Sequence, residues 1–512
     1  MRRTTPVAAL LAAALGLTGL AACDATSGTA DARRDTAAAT STADPSASAT
    51  PSGTASLPAE DDPATDPDDP ALDVALSEPA EDSYYPDVGD PSVDALHYDL
   101  DLAWTPDTRT LEGRATVELR STATGDHLQL DLGAPLEVDG VTLDGADVPF
   151  THDGDHLVVT APVTEDERYV LGVQYAGTPE PTPAPTTRSD FSTSGWTITP
   201  SGETWTMQEP YGAFTWYPVN DQPSDKALYD ISVTVPSPWV GVANGELVDQ
   251  SDDGGLTTTQ WHLSSPAASY LVTVATGAYT RTTNTSSSGV EISYWVPSDR
   301  PGLADRLHVA AAGLDWLEAR LGPYPFDSLG FLLVDSQSGM ETQTMITLGL
   351  TDYATSPEVL VHEMAHQWYG DEVTPDDWRD VWMNEGMAMY LQWTWQADDA
   401  GVDLESVMDG FAADERELRA QSGPPAAYEK GEFGESNVYY GPAVMYDELR
   451  KRIGDERFWQ VVRDWPSRDP MTNADRDEFL DWWVQETGVD RRFFEDWLLS
   501  PTSPDRSQLA DS

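Results

Sequence analysis

The sequence is short of positive charge and has almost no cysteine. Its 512 residues carry 28 Lys+Arg against 88 Asp+Glu, a formal net charge of −60 at pH 7. Phosphate backbones are held by clustered Lys and Arg, so this balance excludes nucleic acid as a partner. The one cysteine, Cys23, excludes a disulfide framework, an iron–sulfur cluster and thiolate zinc sites. Any metal must rest on His, Asp or Glu, and His is itself scarce at 8 residues. Long apolar runs are also missing, because no segment reaches the roughly 20 residues that a membrane-spanning helix needs. What is present is core material. Hydrophobic residues make up 39% of the chain, including 18 Trp and 19 Tyr, which excludes wholesale disorder, and the length suggests two to four domains.

The N-terminus reads as an address. Residues 1–22 hold the pair Arg2 and Arg3, an apolar stretch from Val7 to Leu17, and small residues leading to Cys23, the layout of an export signal. Leu20-Ala21-Ala22-Cys23 resembles a bacterial lipobox, in which the cysteine is lipidated and becomes the mature N-terminus. The expectation is an exported lipoprotein at the outer face of the cell membrane, held there through Cys23. Residues 23–90 follow as an Ala, Ser, Thr, Pro and Asp tract with no aromatic before Tyr84, expected to be a disordered acidic spacer.

From residue 91 to 297 the pattern is one of short alternating runs, such as Ala115-Thr-Val-Glu-Leu-Arg120 and Ile231-Ser-Val-Thr-Val235, separated by Asp-Gly and Pro signals. These are strands. A Pro/Thr stretch at 178–188 interrupts them without marking a boundary, since strand patterning resumes after it. From 298 to 502 the period lengthens. Leu303, Leu307, Ala310, Leu314, Leu317 and Leu321 form a helical stripe, Phe331-Leu-Leu-Val334 reads as a buried strand, and helices follow. The fold class is therefore α+β, a β-rich domain followed by an α-rich one, with a disordered tail expected at 503–512.

The chemistry is concentrated at Val361-His362-Glu363-Met364-Ala365-His366, an HExxH motif. On a helix, residues four apart face the same way, so both imidazoles can share one metal ion. Glu363 is turned by about 100° from His362, so its carboxylate can reach a metal-activated water without ligating the metal. A surface helix could carry such a motif idly. Against that, no other His follows His308. A catalytic zinc takes a third protein ligand, and Glu385, in Asn384-Glu385-Gly386, lies nineteen positions after His366, on a second helix able to fold back.

HExxH, eighteen intervening residues and a Glu within NEG resemble the M1 family of zinc aminopeptidases, the gluzincins. Three further segments carry the resemblance. Ser338-Gly339-Met340-Glu341-Thr342 is similar to the family's GxMEN motif, Trp216 to Lys226 to its FPxxDxPxxK segment, and Tyr439-Tyr-Gly-Pro-Ala443 to its YxxGA element, with Pro442 where the family prefers Gly. The resemblance covers about residues 95 to 500. It implies a saddle-like N-terminal β domain, a thermolysin-like catalytic domain, and one Zn2+ per chain on His362, His366 and Glu385. It further implies Glu363 as general base and peptides with a free N-terminus as substrates. Glu341 is implied as the main carboxylate for the substrate amine, Glu209 as a second, and Gly339 and Met340 as backbone partners of the substrate. Tyr439 is the candidate oxyanion donor. Tyr428, in Tyr428-Glu-Lys-Gly431, matches a common family spelling and remains the alternative, although only Tyr439 opens an amphipathic helical run. Many members continue into a large helical domain beyond the point where this resemblance stops, so a more open cleft is expected. That keeps an endopeptidase as the alternative activity, with a non-catalytic peptide-binding module as a further one. No oligomeric state is read from the sequence.

Overall fold

The structure, a computed structural model, describes residues 51, 53–57 and 66–506. The export signal and Cys23 lie outside the described residues. Among the described residues no helix is long and apolar enough to cross a membrane.

The alternating runs form an eight-stranded sheet. Its order is Glu246–Asp253, Leu256–Ala268, Lys226–Pro236, Val93–Thr105, Thr110–Ser121, Arg168–Gly177, Leu136–Leu143 and Ala146–Asp147. All neighbours are antiparallel except Val93–Thr105 with Lys226–Pro236. Residues of one parity, such as Leu100, Leu102, Val117 and Ile231, enter one buried core, as period-2 patterning requires. A second sheet of five strands, containing Val240–Ala243, Val274–Gly277 and Thr204–Met207, adds to the same region.

The catalytic region is built on a further sheet, ordered Tyr279–Thr285, Glu291–Pro297, Leu329–Val334, Met345–Gly349 and Gly339–Met340. The Leu329–Val334 strand is buried along its whole length because its two faces enter two different cores. Phe331 and Leu333 join the helical core, while Leu332 and Val334 join the β-region core. That explains the unbroken apolar run. Around this sheet lie α1 (Ala304–Leu307), α2 (Ala310–Leu321), α3 (Pro357–His366), α4 (Trp382–Ala400), α5 (Leu404–Ser422), α6 (Asn437–Ile453), α7 (Asp455–Arg468), α8 (Arg476–Thr487) and α9 (Arg491–Leu499). Pro357 opens α3 in its first turn, where a missing N–H costs nothing.

Three boundaries differ from the sequence expectation. The first division falls before Tyr279 rather than at 297, because Tyr279–Thr285 and Glu291–Pro297 pair into the catalytic sheet. Alternation looks the same in either sheet, so pattern alone cannot assign them. Second, the part of the expected spacer that is described is ordered. Asp69 caps the short 3-10 helix Pro70–Ala75. Asp82 accepts hydrogen bonds from the backbone N–H groups of Tyr84, Tyr85 and Trp378, and the Tyr84 and Tyr85 hydroxyls donate to the carbonyls of Tyr428 and Lys430. This strap takes its order from a surface already formed, so it needs no periodicity of its own. Third, of the expected tail, Arg506 donates to Glu448 and Asp409, two charged pairs that hold residues 503–506 on α5 and α6.

The eight-stranded sheet carries a partly buried ion triad across three strands. His97 bonds Glu118 at 2.8 Å and Asp230 at 3.0 Å through its two ring nitrogens. Burial opposes the imidazolium, but the hydrogen bonds it donates to Asp230 and Glu118 outweigh this and raise the pKa to about 9. A folded-state value above the unfolded one stabilises the fold fully below about pH 6.5, and this is lost as pH rises through about 9. His97→Gln is expected to cost on the order of 2 kcal/mol at pH 6, allowing for solvent screening at the half-exposed Asp230, and much less at pH 10. Urea unfolding of both proteins at the two pH values measures the difference.

Candidate active site

The HExxH residues occupy the last turns of α3, which is buried from Val359 to His366. Glu385 lies in the first turn of α4. The approach of these helices brings three ligand atoms together: His362 Nε2 to His366 Nε2 is 3.1 Å, and Glu385 Oε2 is 3.2 Å from the first and 3.3 Å from the second. A tetrahedral ion with bonds of about 2.0–2.1 Å separates its ligands by roughly 3.3 Å, so the spacing fits zinc. His366 Nδ1 lies 3.1 Å from the Tyr369 carbonyl, which leaves the Nε2 lone pair free to face a metal. Burial works against charge on Glu385, but the two imidazoles outweigh it and hold the carboxyl well below its usual range.

Gly339–Met340 is the edge strand of the catalytic sheet, paired on one side only with Met345–Gly349. A β-carbon at Gly339 would sit 2.5 Å from Glu363 Oε1, so glycine is what lets this strand pass directly over the carboxylate. Gln367 laces the strand to the helix, donating to the Glu341 carbonyl and to Asp371 while accepting from Thr344 N–H. Burial first, and then the charge of Glu341, push Glu363 well above the ordinary carboxylate range.

Glu209 and Glu341 converge on the same pocket. Each can place one carboxylate oxygen within 4.8 Å of the other and of Glu385. Both are buried, and Oε1 of each has no hydrogen-bond partner. Burial, then the neighbouring Glu341, raise the Glu209 pKa well above normal; burial likewise raises that of Glu341. Asp221 shapes the loop that carries Glu209 by accepting from the Gly212 and Phe214 N–H groups and from Ser269. Lys226 is buried and donates to the carbonyls of Asp371 and Glu372 just beyond α3, tying the β region to the metal helix; burial lowers its pKa to about 7.

The two tyrosines are clearly separated by their surroundings. Tyr439 stands in the first turn of α6 with its ring 6.1 Å from that of His362, and its hydroxyl accepts from Arg188 at 3.2 Å. Tyr428 donates to the Trp378 carbonyl at 2.7 Å, a structural bond. Gly386 follows Glu385 in α4, and a β-carbon there would meet Pro442 of α6 at 2.3 Å, so this glycine–proline contact sets how closely Tyr439 approaches the metal ligands. Arg188 was not singled out by sequence reasoning. Its only signal was its place in the Pro/Thr stretch, where a cation stands out in an acidic chain.

Comparison with known proteins agrees with this geometry. Residues 94–271 match the Peptidase M1 N-terminal domain and residues 306–497 the Peptidase family M1 domain. The chain belongs to the M1 peptidase family. Zinc is accordingly the cofactor of the M1 site described above. Glutamyl aminopeptidase of Homo sapiens is 26% identical over 59% of this chain and 34% of its own length, and Aminopeptidase M1 of Arabidopsis thaliana is 28% identical over 37% and 23%. This M1 chain thus spans about a third or less of those curated relatives. An M1 zinc metallopeptidase from Deinococcus radiodurans, 27% identical, superposes with a TM-score of 0.75 over 83% of this chain and 98% of that one. A variant of the Deinococcus enzyme was crystallised with a Tyr-Ser-Ala substrate.

Two outcomes test the M1 site. Purified protein is expected to carry one zinc per chain, and Glu385→Ala and His366→Ala to lose most of it, read by elemental analysis after dialysis against a weak chelator. Gly339→Ala is expected to keep its zinc but lose about 10- to 100-fold in kcat, because the new methyl displaces Glu363.

Proposed function

We propose that this chain is a zinc aminopeptidase that removes single residues from the free N-terminus of peptides. The observation that carries this reading is the pair Glu209 and Glu341, two buried carboxylates with unpartnered oxygens beside the metal ligands. Burial disfavours the charge of both carboxyls, so an arriving cation is what stabilises their ionised form, and a substrate ammonium supplies one at a set distance from the scissile bond. The aminopeptidase names of the matched relatives support the same reading.

In this mechanism His362, His366 and Glu385 would hold the zinc, which when bound would supply Lewis acidity for the scissile carbonyl and for water. Glu363 takes the water proton and delivers it to the leaving amine; its raised proton affinity suits it to carry the proton between the two. Tyr439 donates to the oxyanion that develops at the carbonyl. The open edge of Gly339–Met340 pairs with the extended substrate backbone. Glu341 and Glu209 grip the α-ammonium and so count one residue inward from the N-terminus.

With an aminoacyl-arylamide panel, turnover is expected with free amines, to vanish with a chelator, and to be absent for N-acetylated substrates. Glu341→Gln should lower kcat/KM by about a hundredfold. Equal turnover of acetylated and free peptides would instead establish an endopeptidase.

We also propose that the chain is exported and lipid-anchored through Cys23, supported by the Leu20–Cys23 spelling. Labelling with a palmitate analogue is expected to mark the wild type and to leave Cys23→Ala unmarked and shed from the membrane fraction.

A further inference from the structure

The pocket gathers four buried carboxylates, Glu209, Glu341, Glu363 and Glu385, and a guanidinium comes up to it. That cation, Arg188, comes from the β region, on the Pro/Thr stretch that strand patterning left as an excursion. The excursion is clasped to the loop just ahead of α6 by four consecutive residues. The Pro185 carbonyl accepts from Phe433 N–H at 2.9 Å, and Thr186 donates to the Phe433 carbonyl at 2.7 Å. Thr187 then donates to Glu435 at 2.6 Å and Arg188 to the Gly434 carbonyl at 2.8 Å.

The guanidinium is held on every side. Nε and Nη2 bond the two oxygens of Asp190 at 3.2 and 2.7 Å, and Phe191 lies 5.2 Å away under the cation. Nη1 alone serves both the Gly434 carbonyl and the Tyr439 hydroxyl. Gly434 has φ +66°, and a β-carbon there would stand 3.5 Å from Arg188 Nη1 and 4.0 Å from the Tyr439 hydroxyl. These are ordinary contacts, so it is the left-handed backbone that favours glycine here, in a turn that brings the Gly434 carbonyl to the guanidinium.

We propose that Arg188 is a positioning residue for Tyr439, supplied by the β region to complete the catalytic centre. The proposal rests on Tyr439 being the oxyanion donor. A guanidinium has no acceptor, so the phenol oxygen can only receive from Arg188, and the phenol proton is forced to point away from it. The planar fork sets the oxygen's place, and the positive charge strengthens the phenol as a donor when negative charge develops on substrate. Lysine offers a point charge without the fork, so it cannot hold Asp190, Gly434 and Tyr439 at once. If Arg188 served only the clasp, its loss would loosen the loop and act independently of the phenol.

A double-mutant cycle in the full chain with zinc bound separates these roles. Tyr439→Phe is read first: a fall in kcat of about 10²–10³-fold upholds the donor reading, and unchanged kcat overturns that reading and the proposal with it. Arg188→Met is expected to lower kcat about 10- to 100-fold with KM within a factor of about three. In the Tyr439→Phe background the same substitution is expected to change kcat by less than about threefold. Multiplicative losses, or wild-type kcat in Arg188→Met, overturn the proposal while leaving the donor reading intact. Thr187→Val, which removes the clasp bond to Glu435 without touching any bond of Arg188, serves as the control and should keep wild-type kcat. Should Arg188→Met fail to fold, Arg188→Lys is read in the same cycle with the same criteria. Added guanidinium should partly restore kcat to Arg188→Ala but not to its Tyr439→Phe double variant, and rescue of both overturns the proposal.

Discussion

Four carboxylates in one buried pocket are the constraint on which this site depends. Glu209, Glu341, Glu363 and Glu385 are each less than a tenth exposed, and carboxylates so placed either hold protons or draw positive charge to them. Three sources answer that need. Zinc draws on Glu385 and the two imidazoles, the proposed substrate ammonium would draw on Glu341 and Glu209, and Arg188 stands at the edge as a resident cation. Catalysis and specificity on this reading follow from one electrostatic demand: the pocket attracts the charge that its own carboxylates lack.

The scaffold serves this pocket from both regions of the chain. α3 and α4 bring the metal ligands, and the edge strand passes over Glu363 only because Gly339 has no side chain. The β region contributes Glu209 on a loop shaped by Asp221, Lys226 as a buried tie to the end of α3, and Arg188 on the clasped excursion. Even the strap at 82–85 takes part, binding the carbonyls of Tyr428 and Lys430 ahead of the Arg188 loop. A site assembled from so many segments is rigid where each segment is held by hydrogen bonds to another, which is what oriented catalysis requires.

The large surplus of acidic residues has little to do with this chemistry. Most of the surface carboxylates pair locally or face solvent, as Asp477 and Asp481 do against Arg491. Their effect is on solubility and repulsion, whereas among the buried ones some, such as Asp82 and Asp221, hold loops in place and only the four of the pocket surround the metal ligands.

How much was legible in the sequence depended on how local each signal was. The metal ligands and Glu363 could be read because helix periodicity converts a spacing of four into a shared face, and because a third ligand on the next helix stays within reach. The β-then-α order was equally readable from the periods of two and 3.6. The region boundary was misread by about twenty residues, since two strands with the same alternation can join either sheet. The choice between Tyr439 and Tyr428 turned on helix pattern, but only the fold shows that Tyr428 is bonded to the Trp378 carbonyl. Arg188 and the strap were invisible as functional elements. The sequence by itself determined that His362, His366 and Glu385 can share one metal ion with Glu363 beside them, because those residues are near neighbours along regular elements. Only the tertiary structure decided which distant groups surround them, because the meeting of Glu209, Arg188 and Tyr439 is made by packing between segments more than two hundred residues apart, and no local period records it.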